Sequence, residues 1–358
     1  MSHTDSGSFK AAFALASVIA LSALPARAET VDNLVTFNAG TTARAADVNA
    51  NFAAVAAAID GNDAAIAQLS GTVGAALNER STYVPAGTDG VANGQALLAA
   101  IGAVGVIPGN ETPWSIVLHP GLYDLEGGQL ILPPNVHLIG SGARRTRIEG
   151  NRVAPGVAAE GAIVVGAAGT LLADVAVANR EAFGGVAVAV YSDESIRVYR
   201  CDIGQNLAVA GATADSYGLV GTFMTVEESS LLGFAGGAGV GVGVTVRGGG
   251  SIRRSVLQTQ GSNTGAAIIV DAAATTDTTV SQTLIRGFGS GQGFIHNADR
   301  NLTIVFSEFV QTGLDGSANA GNVRIGASMR GNLMSVMGGA TITCAQNFTP
   351  AMATLAGC

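Results

Sequence analysis

Between Asp47 and Leu77 the apolar residues fall at Val48, Phe52, Val55, Ile59, Ile66, Leu69 and Val73, alternately four and three apart, with Asn62 where one is missing. This heptad pattern predicts an α-helix. The alanines between these positions favour the same state. Two arrangements satisfy the pattern. In a coiled-coil stalk, residues 47–77 join copies of the chain, a trimer among the permitted states, and Asn62 is a polar core residue that sets register. In a helical hairpin, the chain turns at Asp60-Gly61-Asn62, because glycine costs about 1 kcal/mol inside a helix.

After Thr82 the period changes. Glycines recur, and valine, isoleucine and leucine carry the apolar positions, which favours strands. The segments LADVAV, VYRCDI, VEESSL, IRRSVL, VSQTLI and IVFSEF superimpose. Each opens on an apolar residue, places a small residue fourth in most copies, and closes on another apolar residue. Their spacing of 24–28 residues predicts a solenoid.

Each column then acquires a meaning. Leu172, Val198, Val226, Ile252, Val280 and Ile304 form one buried stack. Val177, Ile203, Leu231, Leu257, Ile285 and Phe309 form another. Cys201, Ser229, Ser255, Thr283 and Ser307 follow Val175 in an internal ladder of small side chains, where hydroxyls can bond from rung to rung. Cys201 therefore reads as a small buried thiol. The column before it runs Asp174, Arg200, Glu228, Arg254, Gln282. With rungs roughly 4.8 Å apart, opposite charges alternate along an exposed edge. Arg254 is expected to pair with Glu228, and Arg253 to be solvated beside it. The arginine pair is one rung of a repeat, not an anion-binding patch.

The stretch from Trp114 to Gly150 contains IVLHPGLYDL, LILPPNVHLIGSG and TRIEG. It resembles the first turns of right-handed parallel β-helices of the pectin-lyase-like superfamily. Periodicity extends the resemblance to about Gly339. The implied fold is an all-β solenoid, a right-handed single-stranded parallel β-helix, preceded by an α-helical segment. FNAGTTARAADVNANF, ahead of the heptads, resembles a segment of secreted bacterial and phage-fibre-like proteins. The expected divisions are a signal peptide at 1–28, a helical or coiled-coil segment at 29–81, the β-helix at 82–343 and a C-terminal tail at 344–358.

Composition narrows the partners. The net charge is −8 and Lys10 is the only lysine. A negative chain is a poor match for nucleic acid or an anionic membrane surface, and a phosphate-binding loop needs its own lysine. Lys10, the apolar run Ala11 to Leu24 and Ala26-Arg27-Ala28 fit an export signal cleaved after Ala28. No later segment is apolar for long enough to span a bilayer. The expected location is periplasmic, cell-surface or extracellular, where disulfides form. Cys344 and Cys358 bracket the tail, and a bridge between them would contribute about 3 kcal/mol in the chain-entropy model. A metal site at the cysteines lacks a nearby histidine.

The resemblance also implies chemistry: a polysaccharide lyase, hydrolase or esterase, with calcium as cofactor only for a lyase. The signatures of those activities are absent. There is no GHG segment, no QDTL, and no lysine after Lys10. Hydrolysis by two carboxylates needs them roughly 5–9.5 Å apart, yet Asp202 and Glu308 share a column four rungs apart, and residues 229–270 contain no acid. No catalytic residues or cofactor are assigned. A noncatalytic scaffold or adhesin that binds a glycan along one face is the leading reading. Tyr191, Asp193, Glu194, Tyr199 and Arg200, in YSDESIRVYR, with Glu227 and Glu228, are its candidate contacts, because sugars use aromatic faces beside hydrogen-bonding groups. A self-assembling fibre or spike subunit is the third reading.

Overall fold

A computed structural model of the chain describes residues 31, 34–37, 39–40, 42, 44–78, 80–104, 113–181, 183–204, 213–235, 239–261, 265–289, 292–296, 300–310, 314–316, 323–326, 329–330, 336–338, 342–345, 347–348 and 354–355. The expected signal at 1–28 and Cys358 of the expected disulfide lie outside them. The chain divides into two compact units, Met1–Glu79 and Arg80–Cys358.

The first unit is built on helix α1, Ala45–Asn78. It runs unbroken through Asp60-Gly61-Asn62, so the hairpin alternative falls and the single long helix stands. Phe52, Val55, Ile59 and Ile66 are exposed on it. The Asn51 side chain clips an extended segment to the helix: its Oδ1 accepts from Val35 N at 2.8 Å and its Nδ2 donates to Val35 O at 3.0 Å. That clip gives a structural reason for the asparagine in VNANF. Among the described residues no helix is long and apolar enough to cross a membrane.

The second unit opens with Ser81–Val84 and helix α2, Gly90–Gly102, an element the repeat pattern does not anticipate. Asp89 caps α2, accepting from Val91 N and Ala92 N at 2.9 and 3.3 Å. Leu97 and Ile101, one turn apart, pack into the core, and Asn93 donates to Leu122 O at 2.8 Å. A Cβ on Gly94 would stand 2.1 Å from Asp124 O, so only glycine lets α2 approach the first coil. The helix covers an end of the solenoid, where strand edges would otherwise lie open.

Parallel strands then stack coil on coil in three ladders. The first includes Ser81–Val84, Trp114–Leu118, Val136–Ile139, Thr170–Ala173, residues 196–199, 224–227 and 250–253, Thr278–Ser281, Leu302–Val305, Val323–Gly326 and Ile342–Ala345. The second includes Ala162–Gly166, residues 186–192, 215–221 and 241–246, and Ala266–Val270. The third runs from Gly121–Asp124 through Thr146–Gly150, Ala176–Asn179, Asp202–Gly204, Ser230–Ala235, Val256–Gly261 and Leu284–Gly289 to Glu308–Val310. Val186–Tyr199, Asp215–Glu227 and Gly241–Arg253 each cross from the second ladder into the first through an irregular turn. Both expected apolar stacks are buried; Ile116, Leu138 and Ile325 extend the first, and Tyr123 and Ile148 head the second.

The first and third ladders meet at a corner that repeats with one geometry. Asp174, Arg200, Glu228, Arg254, Gln282 and Phe306 all hold φ between 47° and 57°, the left-handed region. None is glycine, and each such residue costs roughly 1 kcal/mol. The reversal makes two successive N–H groups point at the same neighbouring rung. The first finds a backbone carbonyl: Arg200 N donates to Glu227 O, and Glu228 N to Arg253 O, both at 3.1 Å. The second is met by a side chain. Cys201 N donates to Ser229 Oγ at 3.1 Å, Ser229 N to Ser255 Oγ at 3.2 Å, Ser255 N to Thr283 Oγ1 at 3.4 Å and Thr283 N to Ser307 Oγ at 3.3 Å. Each hydroxyl also donates to the carbonyl two residues back, as Ser229 does to Glu227 O at 2.7 Å. Cys201 occupies the same place, its Sγ donating to Tyr199 O at 3.4 Å. Burial pushes its thiol pKa up to about 12, so it is a poor nucleophile.

Replacing Ser255 by alanine leaves the buried Ser229 N–H without an acceptor. The expected loss is about 1–3 kcal/mol, measured as a lower midpoint in urea unfolding, whereas Ser255→Thr keeps the hydroxyl and should hold the midpoint.

Candidate functional site

Register distributes the expected contacts over two separate edges. Tyr199, Arg200, Glu227 and Glu228 lie at the left-handed corner, where Tyr199 stands opposite Glu227 and Glu227 opposite Arg253. Arg200 reaches Asp174 at 2.5 Å and lies 4.5 Å over the Tyr199 ring, covering a face that a sugar would need. Arg254 meets Glu228 at 3.1 Å. Arg253 is not merely solvated: its Nε lies 3.5 Å from Glu227. These exposed pairs contribute about 0–1 kcal/mol each. The edge answers its own charges.

Tyr191, Asp193 and Glu194 lie at the other edge, the turn from the second ladder into the first. Here the structure adds a residue that the sequence reading passes over, Arg247. The strand 241–253 turns Val244 and Val246 into the core and therefore Thr245 and Arg247 outward. Arg247 Nη1 donates to Tyr191 Oη at 2.8 Å, and Tyr191 Oη donates to Asp193 Oδ1 at 2.7 Å. The guanidinium also lies 5.4 Å over the Tyr191 ring and donates through Nη2 to Val157 O at 3.1 Å. Asp193 and, one rung beyond Arg247, Asp271 each bring an oxygen within 3.9 Å of this one guanidinium. At that distance neither makes a direct hydrogen bond. Thr245 is buried, and its Oγ1 has no hydrogen-bond partner among the described residues. Glu194 is exposed, its backbone N–H donating to Ser192 Oγ at 3.3 Å. The lone charge in the run GVGVTVRGGG, on the outward beat of its alternation, is the signal that could have found Arg247.

The segment around 152–161 straps the outer face of the second ladder. Ala154 bridges Val186, Gln129 Nε2 donates to Ala162 O at 2.9 Å, and Asn179 Nδ2 donates to Arg152 O, Gly161 O and Val188 O at 2.8–3.1 Å. Val157 and Ala159 pack on Ala162, Val186, Val188, Tyr191 and Val220. Tyr191 is thereby left only 6 % exposed, so it offers the site a hydroxyl and not a ring face.

No family model matches the chain, and no curated relative does. Among solved structures it is similar to a pectin methylesterase from Erwinia chrysanthemi, with 12 % identity over 72 % of this chain and 86 % of that one and a TM-score of 0.41. It is also similar to a pectin methylesterase from carrot (16 %, 72 % and 80 %, TM-score 0.39) and to the A-module of a mannuronan C-5 epimerase from Azotobacter vinelandii (14 %, 74 % and 91 %, 0.39). The three stacked parallel ladders described above decide the fold. The chain is a parallel β-helix.

In this β-helix Asp202 and Glu308 share the outward column of the third ladder, separated by Ser230, Val256 and Leu284. Four rungs make about 19 Å, too far for a shared reaction. Among the described residues no three of His, Cys, Asp and Glu converge as a metal site.

Burial raises the Tyr191 pKa, and its bond to Asp193 adds to this; burial also raises Tyr123 and Tyr217. A phenol held neutral contributes stability that is complete below its unfolded pKa of about 10 and is lost as pH rises through its higher folded value. Absorbance titration should therefore show three of the five tyrosines ionising late in the folded chain. Tyr191→Phe should remove one of them, and the late phase should vanish in denaturant.

Proposed function

We propose that this β-helix is an exported, noncatalytic scaffold that binds a glycan at the Arg247 site. One observation carries the reading. Asp271 Oδ2 stands 3.9 Å from Arg247 Nε, beyond direct hydrogen-bond reach, and the exposed Asp193 beside it meets the same guanidinium only through the Tyr191 hydroxyl. Gaps of that size between polar groups accept a bridging oxygen. The hydroxyls of a saccharide, each both donor and acceptor, meet two carboxylates and a guanidinium with partners of both kinds. Where Arg200 and Arg254 meet Asp174 and Glu228, direct pairing leaves no such opening. Export rests on the apolar run Ala11 to Leu24 and the Ala26-Arg27-Ala28 site.

A second reading, polysaccharide hydrolysis at the same place, is favoured by two exposed acids beside one arginine. A single panel separates the two. The protein without residues 1–28 is passed over immobilised polysaccharides, and released reducing ends and uronate double bonds are assayed alongside. Binding predicts retention on at least one polymer, no new ends, and at least about tenfold weaker binding in Arg247→Ala. Cleavage that disappears in Asp193→Asn or Asp271→Asn would instead establish hydrolysis.

The scaffold reading includes self-association through α1. A 34-residue helix with Phe52, Val55, Ile59 and Ile66 exposed at heptad spacing buries that seam best against copies of itself. Sedimentation equilibrium should give a mass that is a multiple of the monomer's, and Ile59→Glu with Ile66→Glu should reduce it to the monomer.

A further inference from the structure

The turn that bears Arg247 on its second-ladder side carries a different recess on its first-ladder side. Ser195, Phe223 and Gly249 stand opposite one another in register where the strands cross between ladders. Serine and glycine thus flank an aromatic ring, which is 42 % exposed. The glycine is enforced. Gly249 holds φ of +129°, and a Cβ there would stand 1.9 Å from Thr276 Oγ1. Neighbouring Gly248 and Gly250 are held by similar approaches to Thr222 O and Met224 O. No side chain can therefore rise from the rung beyond Phe223 at its level.

The result is an open notch of about 470 Å³, in the range of small-ligand sites. Its walls carry Arg197 on one side and Asp277 on the other, with the hydroxyls of Thr225, Ser251 and Thr276 between. Asn301 holds Asp277 in place, its backbone N donating at 3.0 Å and its Nδ2 at 3.1 and 3.2 Å. Those bonds lower the Asp277 pKa and keep it an ionised acceptor. A carboxylate has about four lone-pair sites, so it can accept from a ligand as well.

We propose that this notch is a saccharide subsite. One sugar ring lays its C–H face on Phe223, while its hydroxyls reach Asp277, Arg197 and the Thr225–Ser251 pair. An apolar ligand would leave those charged and hydroxyl groups without partners. An inorganic anion would make no use of the ring and would face Asp277. The site shares no residue with the Arg247 cluster and stands even if that cluster binds nothing.

Saturation-transfer NMR tests it with five probes: the methyl glycosides of glucose, galactose, mannose and N-acetylglucosamine, and galacturonic acid. At least one probe should show transfer concentrated on the ring protons of one face. Phe223→Ala should weaken that probe's binding at least about tenfold, with circular dichroism and the unfolding midpoint unchanged. Phe223→Tyr should keep it, Asp277→Asn should weaken it, and Arg247→Ala should leave it intact. Absence of transfer from all five probes would overturn the subsite. So would transfer that survives Phe223→Ala, or that is lost in Arg247→Ala. The polysaccharide column with Arg247→Ala judges the other site separately, so either reading can fail without the other.

Discussion

The structure depends on what happens to one N–H group at each left-handed corner. Turning a strand sharply without glycine leaves two successive donors aimed at the same neighbouring rung. The ladder supplies a backbone carbonyl for only one. The serine and threonine hydroxyls of the internal column take the other, from Ser229 to Ser307. Each hydroxyl must come from the adjacent rung and must sit one residue after its own corner. A strand that slipped by one residue would lose this match and turn its apolar residues outward. The hydroxyl ladder thus sets register as much as it contributes energy.

Register then decides what the surface can do. At the corner it places Arg200 against Asp174 and Arg254 against Glu228, at 2.5 and 3.1 Å. On the far side of the first ladder the strands cross through irregular turns, and the same residue types fail to close. One arginine there is shared by two acids at 3.9 Å. Residues of similar charge pair directly in one place, and in the other meet through the Tyr191 hydroxyl or across a gap. The difference lies in backbone geometry: from Asp174 to Phe306 the corner repeats with one φ, whereas the crossing turns shift register at different places.

The crossing turns also explain the run of glycines at 248–250. They permit close backbone approach to Thr222, Met224 and Thr276. A consequence of that close packing is an uncovered Phe223 ring. Packing and a candidate binding surface thus share one cause.

The solenoid was legible in the sequence because its columns repeat: six segments with an apolar residue at each end specify both buried stacks, the small internal column and the charge alternation beside it. Heptad spacing likewise specified the long helix, though only the structure showed it running through Gly61. Of the expected Cys344–Cys358 disulfide, Cys358 lies outside the described residues. The sites were not legible in the same way. Tyr191 and Tyr199 read as exposed aromatics, yet the strap at 152–161 buries the first and Arg200 covers the second. Arg247, Asp271 and Thr245 lie 54 to 80 residues from Tyr191 and break no motif. Periodicity determines which residues face inward, because burial recurs along the chain. Which outward residues meet depends on how rungs stack and where irregular turns aim them, and that is set only when the coils pack.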